Sequence, residues 1–199
     1  MIMKSILLLF ISSIYLFAGV SGKYIQKATS KPISVIEENK YYLGVGFGKF
    51  KLKNRDMNEN LKSNIISLIA GYNISNYLSL EFRYYKGVSN LTYHSLNKSK
   101  KIDSKYSNYS IFVKTTYPIE NFNPYILFGY GVNKISNLSN SDRKESNLEY
   151  GLGISYKVNN NISIFADYIR AYNKKGFDGR ATQDRLRANL ITIGATYHF

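Results

Sequence analysis

From residue 40 onward the chain alternates hydrophobic and polar positions with a period of two. Between 78 and 85, Leu78, Leu80, Phe82 and Tyr84 interleave with Ser79, Glu81, Arg83 and Tyr85. Between 149 and 158, Tyr150, Leu152, Ile154, Tyr156 and Val158 oppose Glu149, Gly151, Gly153, Ser155 and Lys157. In 190–199, Ile191, Ile193, Ala195, Tyr197 and Phe199 oppose Thr192, Gly194, Thr196 and His198. Strict alternation puts one residue set on each face of a strand. Runs of this kind predict eight strands, at about 40–50, 63–74, 77–87, 105–117, 124–134, 147–158, 162–172 and 187–199. Strands of soluble proteins average about 5–6 residues. These are about twice as long, the length that a tilted strand needs to cross a bilayer.

The connections alternate in length. Those at Ser75-Asn76, Pro118–Asn123 and Asn159–Asn161 are short and rich in turn formers. Those at 51–62, 88–104, 135–146 and 173–186 are long. Short turns alternating with long loops are the mark of outer-membrane barrels, with the turns periplasmic and the loops extracellular. The expected fold is therefore all-β: an eight-stranded antiparallel up-and-down transmembrane β-barrel over 40–199, with both ends periplasmic. A soluble sandwich or lipocalin also alternates in period two, but its interior is apolar. Here the polar face, rich in Gly, Ser, Thr, Asn and charges, suits a small crowded lumen. Tyr72, Tyr84, Tyr117, Tyr150, Tyr168 and Tyr197 end the apolar face, where interfacial girdles belong.

The first 22 residues read as a cleaved signal peptide: Lys4, then an apolar core from Ile6 to Phe17, then the small residues Ala18, Gly19, Ser21 and Gly22. The core is short for a spanning helix. Residues 23–39 are polar, contain Pro32 and read as a periplasmic leader.

Composition sharpens this picture. Tyr contributes 19 residues and Phe 11, which supplies the girdles, and Cys contributes 0, which removes disulfide, thiolate-metal and Cys-nucleophile chemistry. The net charge of +14 raises nucleic acid as a partner, but the basic residues form no block, and an export signal argues against nucleic acid. No phosphate loop, dinucleotide fingerprint or metal-ligand cluster occurs, so no cofactor or metal is expected.

Four features carry a family resemblance: the export signal, the opening strand YYLGVGFGKF with Gly44, Gly46 and Gly48, the segment PYILFGYGV at 124–132, and the ending ITIGATYHF. Together they resemble the small outer-membrane barrels typified by the OmpA-like membrane domain and the opacity-type porin family. The resemblance spans 40–199 and implies residence in the bacterial outer membrane. It also implies that Tyr197 and Phe199 form the C-terminal signal read by the barrel-assembly machinery.

Strand parity points Glu81, Arg83, Lys114, Glu149 and Asp167 into the lumen. An eight-stranded barrel leaves little more than side-chain space inside, so these charges must pair. The network is either a structural plug or, as the resemblance to OmpA implies, a gate whose pairs switch to open a narrow pore for small solutes or ions. The outer loops carry Lys51, Lys53 and Arg55; Lys98, Lys100 and Lys101; and Lys174, Lys175, Arg180, Arg185 and Arg187. These are either ordinary solvated loop residues or contacts for lipopolysaccharide phosphates or a host polyanion. A lipid A-modifying enzyme is the remote alternative, and it hangs on His94 beside Ser95. Adjacent strand residues face opposite ways, which makes them a poor nucleophile–base pair. The expected function is a structural or surface-interaction, adhesin-like role, with a narrow porin as the alternative.

Overall fold

The structure, a computed structural model, describes residues 39–54, 59–95, 98–138, 141–175 and 185–199. The signal segment and the leader up to Glu38 lie outside the described residues. Ten strands follow: β1 (Tyr41–Asn54), β2 (Asn60–Ser75), β3 (Leu78–Gly87), β4 (Leu91–Ser95), β5 (Lys98–Ile102), β6 (Lys105–Thr116), β7 (Phe122–Leu138), β8 (Ser141–Lys157), β9 (Ile162–Lys175) and β10 (Arg185–His198). All pairings are antiparallel. β1 pairs β2 on one side and β10 on the other, so β1, β2, β3, β6, β7, β8, β9 and β10 close into an eight-stranded barrel.

The strands outrun their hydropathy. Three of the four stretches expected as long loops are largely paired. Lys51, Leu52 and Lys53 lie opposite Lys62, Leu61 and Asn60 within 51–62. In 135–146 the β7–β8 ladder continues until Ile135 meets Arg143 and Leu138 meets Ser141. Within 88–104, β4 and β5 form a hairpin, and β4 also pairs β2. The physical reason is the same in each case. Above the membrane the outward positions turn polar, so the apolar face ends while the hydrogen-bonded ladder goes on.

The outward face carries an apolar belt. Its rows are Tyr41 to Phe47 on β1, Ile66 to Ile74 on β2, Leu148 to Val158 across β8 and Ile191 to Phe199 along β10. Nine residues at about 3.3 Å each, tilted by about 40°, give a band roughly 23 Å tall, close to that of known barrels. Leu152 and Ile193 are 63% and 65% exposed, far too apolar a surface for water.

The inward face has two storeys. Phe50, Leu52, Ile65, Tyr106, Ile135, Tyr172, Leu186 and Leu190 are buried on the long-hairpin side of the charged positions. The rings of Phe50 and Tyr106 stack inside the barrel with centroids 3.8 Å apart. The sequence pattern suggests a mainly polar lumen; its outer half instead packs a large apolar cluster around the buried polar side chains of Asn108, Asn133, Asn147 and Glu149. Glycine makes room lower down: the Tyr42 ring occupies the space that a side chain at Gly71 would need.

Candidate functional site

The inward positions of β3 bring Glu81 and Arg83 to the middle of the lumen, where both are 1% exposed. Arg83 Nε donates to Glu81 Oε2 at 2.6 Å, and its Nη1 donates to Asp167 Oδ2 at 2.6 Å and to the Tyr85 hydroxyl at 3.1 Å. Its guanidinium lies 5.7 Å from the Phe112 ring centroid and 5.9 Å from that of Phe165. Lys114 Nζ sits 3.1 Å from Glu81 Oε1 and 4.4 Å from the Tyr125 centroid. The Tyr42 hydroxyl donates to Glu81 at 2.5 Å; Tyr125 and Thr192 donate to Asp167 at 3.0 and 2.8 Å. Two carboxylates thus meet two cations, and neutral hydroxyls fill the remaining lone pairs. That is the condition under which buried charge is tolerated.

Glu149 does not join this cluster. It is fully buried and accepts from Asn108 Nδ2 at 2.7 Å, Ser110 Oγ at 2.7 Å and Asn133 Nδ2 at 3.1 Å. Its partners are neutral amides and a hydroxyl, where sequence parity suggests Arg83 and Lys114. Asn133 is itself held by the Tyr106 hydroxyl at 2.6 Å. Glu149 and Glu81 therefore predict opposite responses to removal of charge. Glu149→Gln keeps an acceptor for the amides and is expected to change stability by no more than about 1 kcal/mol. Glu81→Gln leaves two cations facing a neutral amide and is expected to cost about 2 kcal/mol. Urea titration in lipid vesicles, read by heat-modifiable gel migration, separates the two.

Sequence reading misses Tyr42, Tyr85, Tyr125 and Thr192 around the ion pairs, and Asn108, Ser110 and Asn133 around Glu149. All seven lie at inward parity, which was the available signal. The abundance of Tyr in outer girdles hides its second use inside.

The basic residues expected on loops are spread over the wall. Lys51 and Lys53 face outward from β1, Lys98, Lys100 and Lys101 belong to the β5 edge of the hairpin, and Lys174, Lys175, Arg185 and Arg187 lie at the outer ends of β9 and β10. Arg55 and Arg180 lie outside the described residues. Lys134 and Asp142 bridge the third outer hairpin at 2.7 Å. The hydrogen bond from Lys134 holds the Asp142 carboxyl below its ordinary range, though in water such a pair adds little stability. At the short-turn rim, Tyr197 and Phe199 point outward, and the Phe199 and Tyr41 backbones exchange hydrogen bonds of 2.9 and 3.2 Å across the closing seam. Among the described residues no His, Asp and Glu cluster is arranged to hold a metal ion.

Residues 26–199 match the family model described as outer membrane protein beta-barrel domain. No curated protein matches the chain in sequence. Among solved structures, Neisserial surface protein A is similar with a TM-score of 0.58 and 20% identity, covering 80% of this chain and 97% of that one. The Yersinia pestis attachment invasion locus protein Ail, in complex with the heparin analogue sucrose octasulfate, is similar with a TM-score of 0.53 and 20% identity, covering 81% and 99%. OprG of Pseudomonas aeruginosa is similar with a TM-score of 0.54 and 11% identity, covering 81% and 97%. At such identities these likenesses establish a shared fold.

Proposed function

The chain belongs to the outer membrane protein beta-barrel domain family and sits in the bacterial outer membrane; on that premise we propose that its barrel is a sealed wall with a structural and surface-interaction, adhesin-like role. The observation that carries this reading is the two-storey lumen. The Glu81–Arg83–Asp167–Lys114 cluster fills the middle, and above it Phe50, Leu52, Ile65, Tyr106, Ile135, Leu186 and Leu190 pack around the closed hydrogen-bond network of Glu149, Asn108, Ser110 and Asn133. A pore would need polar side chains and water along its whole length. Switching the ion pairs leaves the packed upper storey in place, which weighs against a charge-operated gate.

The protein acts through its outer surface in this reading. The β4–β5 hairpin carries Lys98, Lys100 and Lys101, and the similar barrel Ail was solved with a heparin analogue. Both support a soluble or host-borne polyanion as the ligand of the outer hairpins. An enzymatic role has little support, because His94 and Ser95 are successive residues of β4. The outward aromatic pair Tyr197 and Phe199, on the strand that closes the barrel, fits a C-terminal signal for the assembly machinery.

Planar-bilayer recording tests the sealed wall. Wild-type protein, Arg83→Ala and Glu149→Ala are all expected to be electrically silent. Stepwise openings in wild type, or openings created by Arg83→Ala, favour the narrow pore instead.

A further inference from the structure

Glu149 keeps different company from the other lumen acids. Its side chain is fully buried, and among the described residues no cation stands within ion-pair distance of it. The carboxyl fills the space that a side chain at Gly131 of β7 would need. Asn108 and Ser110 reach it from β6 and Asn133 from β7, and Asn133 Nδ2 also donates to the Ala171 carbonyl of β9 at 2.8 Å. The titratable groups that face it are phenols, Tyr106 of β6 and Tyr85 of β3. Arg83 of β3 holds the Tyr85 hydroxyl but is committed to Glu81 and to Asp167 of β9.

Three short contacts close a ring around this carboxyl. Asn108 Nδ2 lies 2.7 Å from Glu149 Oε1, Ser110 Oγ lies 2.7 Å from Glu149 Oε2, and the same Ser110 Oγ lies 2.7 Å from Asn108 Oδ1. Each contact needs a hydrogen between its two heavy atoms. The Asn108 amide supplies one, the Ser110 hydroxyl carries only one, and a carboxylate has none to give. Two hydrogens cannot fill three contacts. Turning the Asn108 amide over does not help, because it then feeds Ser110 and the empty contact moves to Asn108 Oδ1 and Glu149 Oε1. Asn133 does not help either, since its amide hydrogens go to Glu149 Oε1 and to Ala171. Two oxygens 2.7 Å apart with nothing between them would set lone pair against lone pair, in a site without a cation.

We propose that Glu149 folds into the barrel as a neutral carboxylic acid whose proton is the third hydrogen of the ring, which makes the site an acid-tightened latch on β6, β7, β8 and β9. The bond between Ser110 and Glu149 then runs from Glu149 Oε2 to Ser110 Oγ. Ser110 donates onward to Asn108 Oδ1, and Asn108 Nδ2 returns to Glu149 Oε1. Folding takes one proton from solvent, and unfolding gives it back. A glutamate in an unfolded chain ionises near about pH 4.3. Above that pH the folded barrel holds a proton that the unfolded chain has lost. Stability therefore falls as the pH rises, until the acid ionises inside the barrel. Ionisation there leaves a buried anion without a cation, and it loosens the foot of the β7–β8 hairpin. Glu149→Gln copies the neutral acid, with an amide in place of the hydroxyl. The near-equality of this variant and wild type predicted above therefore belongs to acid solution. The latch depends neither on a sealed lumen nor on what the outer hairpins bind.

The test uses the chain folded into phosphatidylcholine vesicles. Infrared difference spectra at about pH 6, wild type against Glu149→Gln, read the protonation state directly, well above the ordinary ionisation of a glutamate. The carbonyl stretch of a protonated carboxyl is expected in wild type and absent from the variant; loss of a carboxylate band instead overturns the proposal. Ser110→Ala removes the acceptor of the proton and serves if the Gln variant folds poorly. Its carboxyl band is expected to shift, and an unmoved band counts against the ring. Urea titrations supply the linked readout. From about pH 5 to about pH 6 the folding equilibrium constant of Glu149→Gln, divided by that of wild type, is expected to rise about tenfold, the signature of one proton taken up on folding. Glu81 and Asp167 are common to both proteins, so their titration cancels in the ratio. A ratio that stays flat over that unit of pH shows Glu149 to be an ordinary carboxylate and sinks the latch.

Discussion

Arg83→Ala is expected to destabilise the barrel by about 3–5 kcal/mol, the cost of leaving buried charge without its partner. Arg83 joins both carboxylates of the lumen, through Nε to Glu81 and Nη1 to Asp167. With it gone, Asp167 keeps only hydroxyl donors, and Glu81 keeps Lys114 and Tyr42. Arg83→Lys recovers only part of the loss, because a single ammonium does not reproduce a planar fork that reaches two acids at once. The decisive measurement is a quadruple variant, Arg83→Met and Lys114→Met with Glu81→Gln and Asp167→Asn. It removes the charges together and is expected to recover much of the stability, since buried ion pairs replaced as a set are often neutral. Urea unfolding in vesicles reads all three. A single variant within about 1 kcal/mol of wild type would show that the cluster is not a linked unit.

The second large effect lies on the opposite face. Leu152→Arg and Ile193→Arg are each expected to cost about 2–4 kcal/mol, the range for a cation at the bilayer midplane on a barrel's lipid side. In water these are exposed surface positions, where substitution ordinarily changes stability by under about 0.5 kcal/mol. The contrast is what makes them informative. A charge at Lys49 height on the same face is already present in the wild type, so the penalty should fall steeply between Phe47 and Lys49. A flat response along β1 and β10 would be inconsistent with the belt.

The number of strands in the barrel wall, its closure and the identity of the lumen-facing charges were legible because a period of two is a geometric constraint that survives without tertiary information. Glu81 and Arg83 are two residues apart on one strand, so their shared face follows from parity alone. Partner choice is different. Whether Glu149 meets Arg83 or Asn133 depends on shear, the stagger of one strand against the next, and local alternation carries no record of it. The outer ladders were missed for a related reason. Lys51 and Leu52 still alternate, but the outward residue is now charged and the apolar face that marks a strand is gone. The storey of Phe50, Leu52 and Ile65 was hidden because inward hydrophobics in a membrane barrel break the expectation of a polar interior.

The seam between β1 and β10 has a consequence for the order of events in folding. Tyr42 through Asn54 pair with His198 through Leu186, so the first strand finds its second neighbour only when the last one is available. Contacts so far apart in sequence form slowly, because the intervening chain must be closed into a loop before they bring any gain. Until then both rims of the growing sheet are bare ladders of unpaired amides and carbonyls, able to join any other extended chain. Closure therefore waits on the last strand, and until β10 reaches β1 both edges of the sheet lack their final partners.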